Sequence, residues 1–342
     1  MMLIYMDINK LKIEKKLGSG MAGAVFLVSS TVKNEKKEYA LKIEKIAEKY
    51  INKDLKLRDW REIDFSINFA NKYPEQFIYL YNYDIIKNCK HIQQNEEPNY
   101  IEHLKKIPLE SQKYFIEKNK SNYCIRKIYS LVNNNLYNIF ENLTKKQLYS
   151  MIAQISYILY LMKQNGYMHN DLHTQNIGVK KTNKKYLTLL DNKIPIIDYQ
   201  YKAIDFGWVL HKKYKLTKNE KERFENSKKN EITRLLKILA SIEKNDKIKK
   251  LIDLEDNPIL LKKFIKSDDY YLVKDYGIND IDRFFIYQIL YPENAQKMIL
   301  GKDYTVTYKI NFRCDLADIL YFFNNKLDLS KIIKYCAVLL NK

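Results

Sequence analysis

Glycine is scarce in this chain, with 8 residues in 342, and proline (6), cysteine (4) and tryptophan (2) are scarcer. The cysteines, Cys89, Cys124, Cys314 and Cys336, are scattered without any Cys-x-x-Cys pair. That spacing argues against a disulfide framework or a zinc site, and reduced structural thiols are expected. Long apolar runs are missing as well. The longest, Met151 to Met162, falls short of a membrane span and contains Gln154 and Ser156. The N-terminus places Asp7 early and offers no small-residue cleavage site, so no secretory signal is evident. An intracellular, non-inserted protein is expected, in the cytoplasm.

Arginine is also sparse, at seven residues, although the formal net charge is +19. The excess is lysine, in a chain also rich in Asn, Ile and Tyr, residues with AT-rich codons. Arginine is the better reader of bases and phosphates. The basic balance is therefore read as a lysine-covered surface without a specific nucleic-acid role, able at most to attract an acidic substrate. Hydrophobic residues make up 46% and aromatics 13%, which excludes a disordered chain and allows a sizeable core.

In so glycine-poor a chain, where the glycines fall carries information. Gly18-Ser19-Gly20-Met21-Ala22-Gly23-Ala24-Val25 fits G-x-G-x-x-G-x-V. A dinucleotide-binding fold would open a helix after the third glycine. Here Ala24 to Val28 continues as a strand, and Tyr39-Ala40-Leu41-Lys42-Ile43 follows as a second strand carrying a lysine. No Gly-Lys-Ser/Thr ends the loop, so it is not a Walker A sequence. Gly166 and Gly178 bracket a second constellation, His169-Asn170-Asp171-Leu172-His173-Thr174-Gln175-Asn176, and Gly207 closes Asp205-Phe206-Gly207. An acid, an amide five positions on and a second acid before Phe-Gly suit phosphoryl transfer. That reaction needs a carboxylate to orient a hydroxyl and oxygen ligands to hold a metal on phosphates. Read singly, Asp171 is a turn cap and Lys42 a surface lysine, but those readings leave the joint order and spacing unexplained.

On these motifs the chain resembles the eukaryotic-type protein kinase superfamily over residues 11–210, and its catalytic loop and composition are similar to divergent kinases of large DNA viruses. The resemblance implies an α+β, two-lobed kinase-like fold. The N-lobe, residues 1–132 with the hinge, would be a small antiparallel sheet plus one helix. The C-lobe, 133–342, would be mostly helical, with ATP between the two lobes. If the viral resemblance holds, the location is the host cytoplasm or the virion. The resemblance further implies ATP with magnesium or manganese as cofactors and a serine or threonine hydroxyl of a protein as acceptor.

Residue by residue, it implies that the amides of Gly18, Ser19, Gly20 and Gly23 cover the phosphates, that Val25 and Ala40 pack on adenine, and that Lys42 neutralises phosphate charge. Asp171 would take the hydroxyl proton, and Asn176 and Asp205 would ligate the metal. Ile128 would guard the rear of the adenine pocket, with Tyr129 and Leu131 beside it and Ser130-Leu131-Val132 as hinge. The helix read over Asp54–Asn71 puts Arg58, Glu62, Phe65 and Phe69 on one stripe, so Glu62, rather than Asp64, is the expected partner of Lys42. Asp205, not Asp198, is the expected metal acid, because Phe-Gly follows it.

Elsewhere, three strands are expected over 11–44, with a turn at Ser29–Lys37, and further strands over Phe77–Ile86 and Tyr123–Tyr129. Residues 88–121 read as an insertion or long loop. Thr144-Lys145-Lys146-Gln147 has the form of a capping box opening a buried helix that ends at Gly166. Leu187–Leu190 and Ile194–Ile197 read as an extra hairpin, 212–229 as a charged mobile stretch, and the rest as helices over Ile232–Ile242, Leu260–Ile265, Asp282–Tyr291, Leu316–Phe323 and Leu329–Leu340.

Three departures from the family pattern stand out. Asn170 replaces the arginine that receives an activating phosphate. His173 replaces a lysine that touches the γ-phosphate; its charge there would follow pH. No Ala-Pro-Glu follows the Asp-Phe-Gly. The last two leave a small-molecule kinase of related fold, acting on aminoglycosides or choline, as an alternative, and a non-catalytic kinase-like scaffold as another.

Overall fold

The computed structural model describes residues 7–20, 23–32, 35–88, 109–190, 192–225, 265–266 and 329–340. The protein is α+β. Its backbone divides into two compact units: Met1–Asn133 with Lys202–Leu216, and Asn134–Tyr201 with Thr217–Lys342. The single cut expected at 132/133 therefore omits the return of 202–216 to the first unit.

The first unit is built on a five-stranded antiparallel sheet of order β1-β2-β3-β5-β4, with β1 Lys12–Gly20, β2 Gly23–Val32, β3 Glu35–Ile46, β4 Leu80–Lys87 and β5 Tyr123–Ser130. The turn expected at Ser29–Lys37 is shorter, because β2 runs to Val32 and β3 resumes at Glu35, with Val32 paired to Glu35. Side chains alternate across a strand, and directly opposed residues share a face. Val28, Tyr39, Leu41, Ile43, Cys124 and Ile128 accordingly form one apolar face, closed by Ile8. Val25, Ala40, Lys42, Glu44, Lys127 and Tyr129 occupy the other by the same register.

Helix α1, Arg58–Asn68, is shorter than the 54–71 expected. Asp54 spends itself on a turn, accepting at Oδ1 from Lys56 N–H, and the chain tightens after Phe69 into a 3₁₀ turn, Ala70–Lys72, ahead of Pro74. Asp59 through Ser66 are all buried, so α1 is covered on several sides rather than along one stripe.

One cover was expected to be loop. Leu109–Lys120 is helix α2; Phe115 and Lys118 on it are buried. Lys118 Nζ donates to Asp59 Oδ1 of α1 at 2.7 Å, and Lys45 Nζ of β3 donates to the carbonyl of Asn119 at 2.7 Å. Residues 89–108 of the proposed insertion lie outside the described residues. Cys124 is disulfide-bonded, contrary to the expectation of reduced thiols. Cys336 is a free buried thiol, and burial pushes it up to about 12. Cys89 and Cys314 lie outside the described residues.

The second unit is organised by helix α3, Lys145–Gln164. Its start has a full capping box: Gln147 N–H donates to Thr144 Oγ1, and Thr144 N–H donates to Gln147 Oε1. Asn165 caps its end and Gly166 follows at φ 71°, a left-handed position that glycine takes without a Cβ penalty. The apolar side of α3 packs in one core with helix α5, Leu329–Leu340, and with the predicted hairpin, here β8 Tyr186–Leu189 and β9 Asn192–Pro195. A small sheet of order β10-β7-β6 (β6 Asn134–Asn135, β7 Ile177–Lys181, β10 Tyr199–Ala203) lies at the end of the loop that carries Asp171. Within the charged stretch, Lys218–Glu225 is helix α4, with no buried residue. The helices expected at 232–242, 282–291 and 316–323, and nearly all of 260–265, lie outside the described residues.

Candidate functional site

The polar face of the five-stranded sheet carries a charged cluster built wholly within the first unit. Lys42 Nζ donates to Glu62 Oε1 at 3.0 Å and to Asp205 Oδ1 at 2.9 Å, and lies 3.5 Å from Glu44 Oε1. The carboxylate beside Lys42 is thus that of Glu62. Its rival Asp64 faces another way: Asn68 Nδ2 donates to Oδ1, while Tyr214 Oη donates to Oδ2 with Lys213 at 2.8 Å. Asp205 and Asp198 separate just as clearly, since Asp198 Oδ2 accepts from Gln147 Nε2.

Burial alone would push the Lys42 ammonium down. The carboxylates of Asp205, Glu44 and Glu62 outweigh it and hold the group well above the usual lysine range. Burial would likewise raise Asp205, but Lys42 beside it brings its carboxyl to about 2. Asp205 takes a left-handed backbone, φ 57°, which aspartate tolerates better than most residues. Its orientation is fixed by Phe206, buried against Phe65 at 4.7 Å and Phe77 at 6.0 Å between ring centroids. Gly207 leaves room for Arg58, whose Nη2 would lie 2.7 Å from any Cβ at that position. The Arg58 guanidinium in turn lies over the Trp208 and Phe115 rings.

Lys127 and Glu44 on this face, and Lys118 behind α1, carry no motif in the sequence. Lys127 is fully buried and bonds both Glu44 Oε2 and Glu62 Oε2. Glu44 is held well below the usual carboxylate range because Lys127 and Lys42 outweigh its burial. Lys118 of α2 supports α1 from outside through Asp59. A signal existed for Lys127: lysine is depleted in strands, and this one stands inside an internal strand between Ile125 and Tyr129, on the same face.

The rear-pocket expectation for Ile128 is corrected by register. Ile128 pairs with Leu41 and sits in the opposite, apolar face, whereas Tyr129 pairs with Ala40 and donates its Oη to Glu62 Oε1 at 3.1 Å. A one-residue slip in reading a strand moves a side chain to the other face. Leu131 is half-buried just beyond β5.

In the hairpin of β1 and β2, Gly18 opposes Val25, Ser19 opposes Ala24 and Gly20 opposes Gly23. Gly23 is sterically required, because a Cβ would fall 2.1 Å from the Ile43 carbonyl oxygen; at Gly18 a Cβ would meet nothing within 4 Å. Met21 and Ala22 at the tip lie outside the described residues.

The loop of the second unit is shaped by hydrogen bonds. Asn176 Nδ2 donates to the Asp171 carbonyl at 2.9 Å and to Asp171 Oδ2 at 3.3 Å. Leu172 anchors the loop in the core at 1% exposure, and His169 is fully buried. Asn170 is left-handed at φ 62°, a conformation that suits asparagine and gives the position a local backbone role. His173 Nδ1 accepts from Gln175 N–H at 3.3 Å, so the ring proton sits on Nε2, 3.8 Å from Asp171 Oδ2.

Among the described residues no group of three or more His, Cys, Asp or Glu side chains is arranged to hold a metal ion, and no helix is long and apolar enough to cross a membrane. In the first unit Asp205 offers a carboxylate, and in the second Asn176 keeps its amide oxygen while its nitrogen donates to Asp171. Each is a hard oxygen donor of the type that magnesium takes. No protein-family model matches the chain, and no curated protein matches it either.

Proposed function

We propose that the protein is an ATP- and magnesium-dependent protein kinase of the two-lobed type, transferring the γ-phosphate to serine or threonine hydroxyls. The observation that carries this reading is the joint placement of Lys42 between Glu62 and Asp205. Lys42 and Asp205, picked out by their motifs, and Glu62, picked out by helical spacing, meet at hydrogen-bond distance. A chance lysine would not be aimed by one buried carboxylate at another that precedes Phe-Gly.

On this reading Lys42, fixed by Glu62, donates to the phosphate oxygens. The amides around Gly18, Gly20 and Gly23 cover the same groups, and Val25 and Ala40, on the Lys42 face of the sheet, offer apolar contact to the base. Asp171, steadied by Asn176, accepts the acceptor hydroxyl's proton as the oxygen attacks. Asp205 and Asn176 would hold the metal, which would supply positive charge to offset the negative charge of the phosphates.

A small-molecule kinase is the second reading, favoured by His173. With Nδ1 occupied by the loop backbone, this histidine supplies one N–H where a protein kinase's lysine supplies a full charge. A radiolabelled transfer assay separates the readings, offering acidic and basic proteins beside aminoglycosides, choline and sugars. Label in protein, lowered about 10²–10⁴-fold by Asp171→Asn, is the expected result. Label in a small molecule alone supports the second reading, and no label in any acceptor supports a non-catalytic scaffold.

A further inference from the structure

Lys127 takes no part in the chemistry above, yet it is the most enclosed charge of the cluster. It stands directly opposite Lys42 in the β3–β5 register, and like charges so placed repel. What separates them is a pair of carboxylates. Glu44 lies between the two lysines, bonded to Lys127 and 3.5 Å from Lys42, and Glu62 accepts from Lys42 at Oε1 (3.0 Å) and Oε2 (3.2 Å) while sharing Oε2 with Lys127. An ammonium has three N–H donors. Around Lys42 stand three carboxylates, Glu44, Glu62 and Asp205. If all three held it, no donor would be left for a phosphate.

We propose that Lys127 is a positioning residue: by neutralising Glu44 and sharing the second oxygen of Glu62, it stops Glu44 from capturing Lys42 and leaves that lysine a donor for the nucleotide's polyphosphate. This rests on the kinase reading. Two lysines against three carboxylates leave one net negative charge, and the cluster is open to a cation at Asp205, whose side chain is 38% exposed while those of Glu44 and Glu62 are 1% and 2%. Without Lys127, Lys42 alone would face three buried or half-buried acids.

The test compares Lys127→Met, Lys127→Met/Glu44→Gln and Lys127→Arg with wild type, measuring kcat and KM for ATP with magnesium at a temperature where each is folded, and melting each without nucleotide. Lys127→Met is expected to raise KM for ATP at least tenfold with a smaller change in kcat. The double variant, lacking the carboxylate that captures Lys42, returns KM to within about threefold of wild type, and Lys127→Arg stays close to wild type. A folded Lys127→Met enzyme with unchanged KM, or a double variant no better than the single one, overturns the proposal. The melting arm reads the charge balance without any reaction: Glu44→Gln should recover part of the melting temperature lost in Lys127→Met. If that coupling is present while wild type transfers no phosphate, the kinase reading fails and Lys127 is reduced to a counter-ion.

Discussion

Asp205 and Asp171 stand in different compact units and are held by different chemistry. Asp205 belongs to a buried array of charges, its carboxylate on Lys42, and Lys42 shared with acids that are themselves neutralised by a second buried lysine. Asp171 belongs to a loop in which an amide, a backbone carbonyl and one left-handed asparagine set the geometry. In the first region, position depends on paired charge in a dry interior, so whatever removes a charge disturbs both fold and site. In the second, Leu172 and His169 secure the backbone and the acid itself projects at 26% side-chain exposure, so chemistry can be removed while the fold remains.

The sharpest way to break that contrast is a pair of substitutions. Lys42→Met should remove at least a hundredfold of transfer and also cost about 3–5 kcal/mol of stability, since it strips a partner from buried acids. Asp171→Asn should lose as much transfer while stability stays within about 0.5 kcal/mol. Chemical denaturation beside the activity assay decides it, and equal stability losses would erase the distinction.

A somewhat smaller effect is expected from Lys118→Met, remote from any phosphate. It leaves Asp59 buried in α1 without its ammonium, a loss of about 3 kcal/mol. Hydrogen exchange should then show reduced protection across Arg58–Asn68, and unchanged protection there would mean that α2 does not secure α1.

The pH dependence is smaller again. Asp205 ionises in the folded protein at about 2, below the ordinary ~3.9. Its contribution is therefore present above about pH 4 and lost as pH falls toward 2. Because the side chain is 38% exposed, the loss should be less than the roughly 2.6 kcal/mol of a fully protected acid with such a shift. Asp205→Asn should flatten acid denaturation over that window, and an unaltered slope would show that Lys42 does not hold the carboxylate. Least of all, phosphatase treatment should change the transfer rate by less than twofold, because Asn170 offers no guanidinium to an activating phosphate. A large drop would mean another residue fills that role.

Sequence reading succeeded where a local rule had one solution. The capping box at Thr144, the hairpin read over 187–197 and found at 186–195, and Glu62 in preference to Asp64 are such cases. It failed where the outcome depended on a partner distant in the chain. Leu109–Lys120 looks polar because its two decisive residues, Phe115 and Lys118, meet Arg58 and Asp59 only once folded. Ile128 was placed one residue out of phase, an error that the alternation of β5 punishes by inverting the face. Lys127 reads as a surface lysine until Glu44 and Glu62 are seen on either side of it. Segment 202–216 joins the first unit through contacts far apart in the chain, the Ala203 backbone on Gln76 and Ile78, Asp205 on Lys42 and Tyr214 on Asp64, which spacing in the sequence does not show.

The central claim is that the Lys42 cluster binds a metal-nucleotide while the Asp171 loop acts on it. Calorimetric titration of magnesium-ATP into wild type, Asp205→Asn and Asp171→Asn tests it most directly, with transfer measured on the same samples. Wild type should bind and transfer, Asp171→Asn should bind with near-native affinity and fail to transfer, and Asp205→Asn should lose the magnesium-dependent part of binding. A wild-type protein that takes up no nucleotide, or an Asp205→Asn variant whose binding responds to magnesium as before, would contradict it.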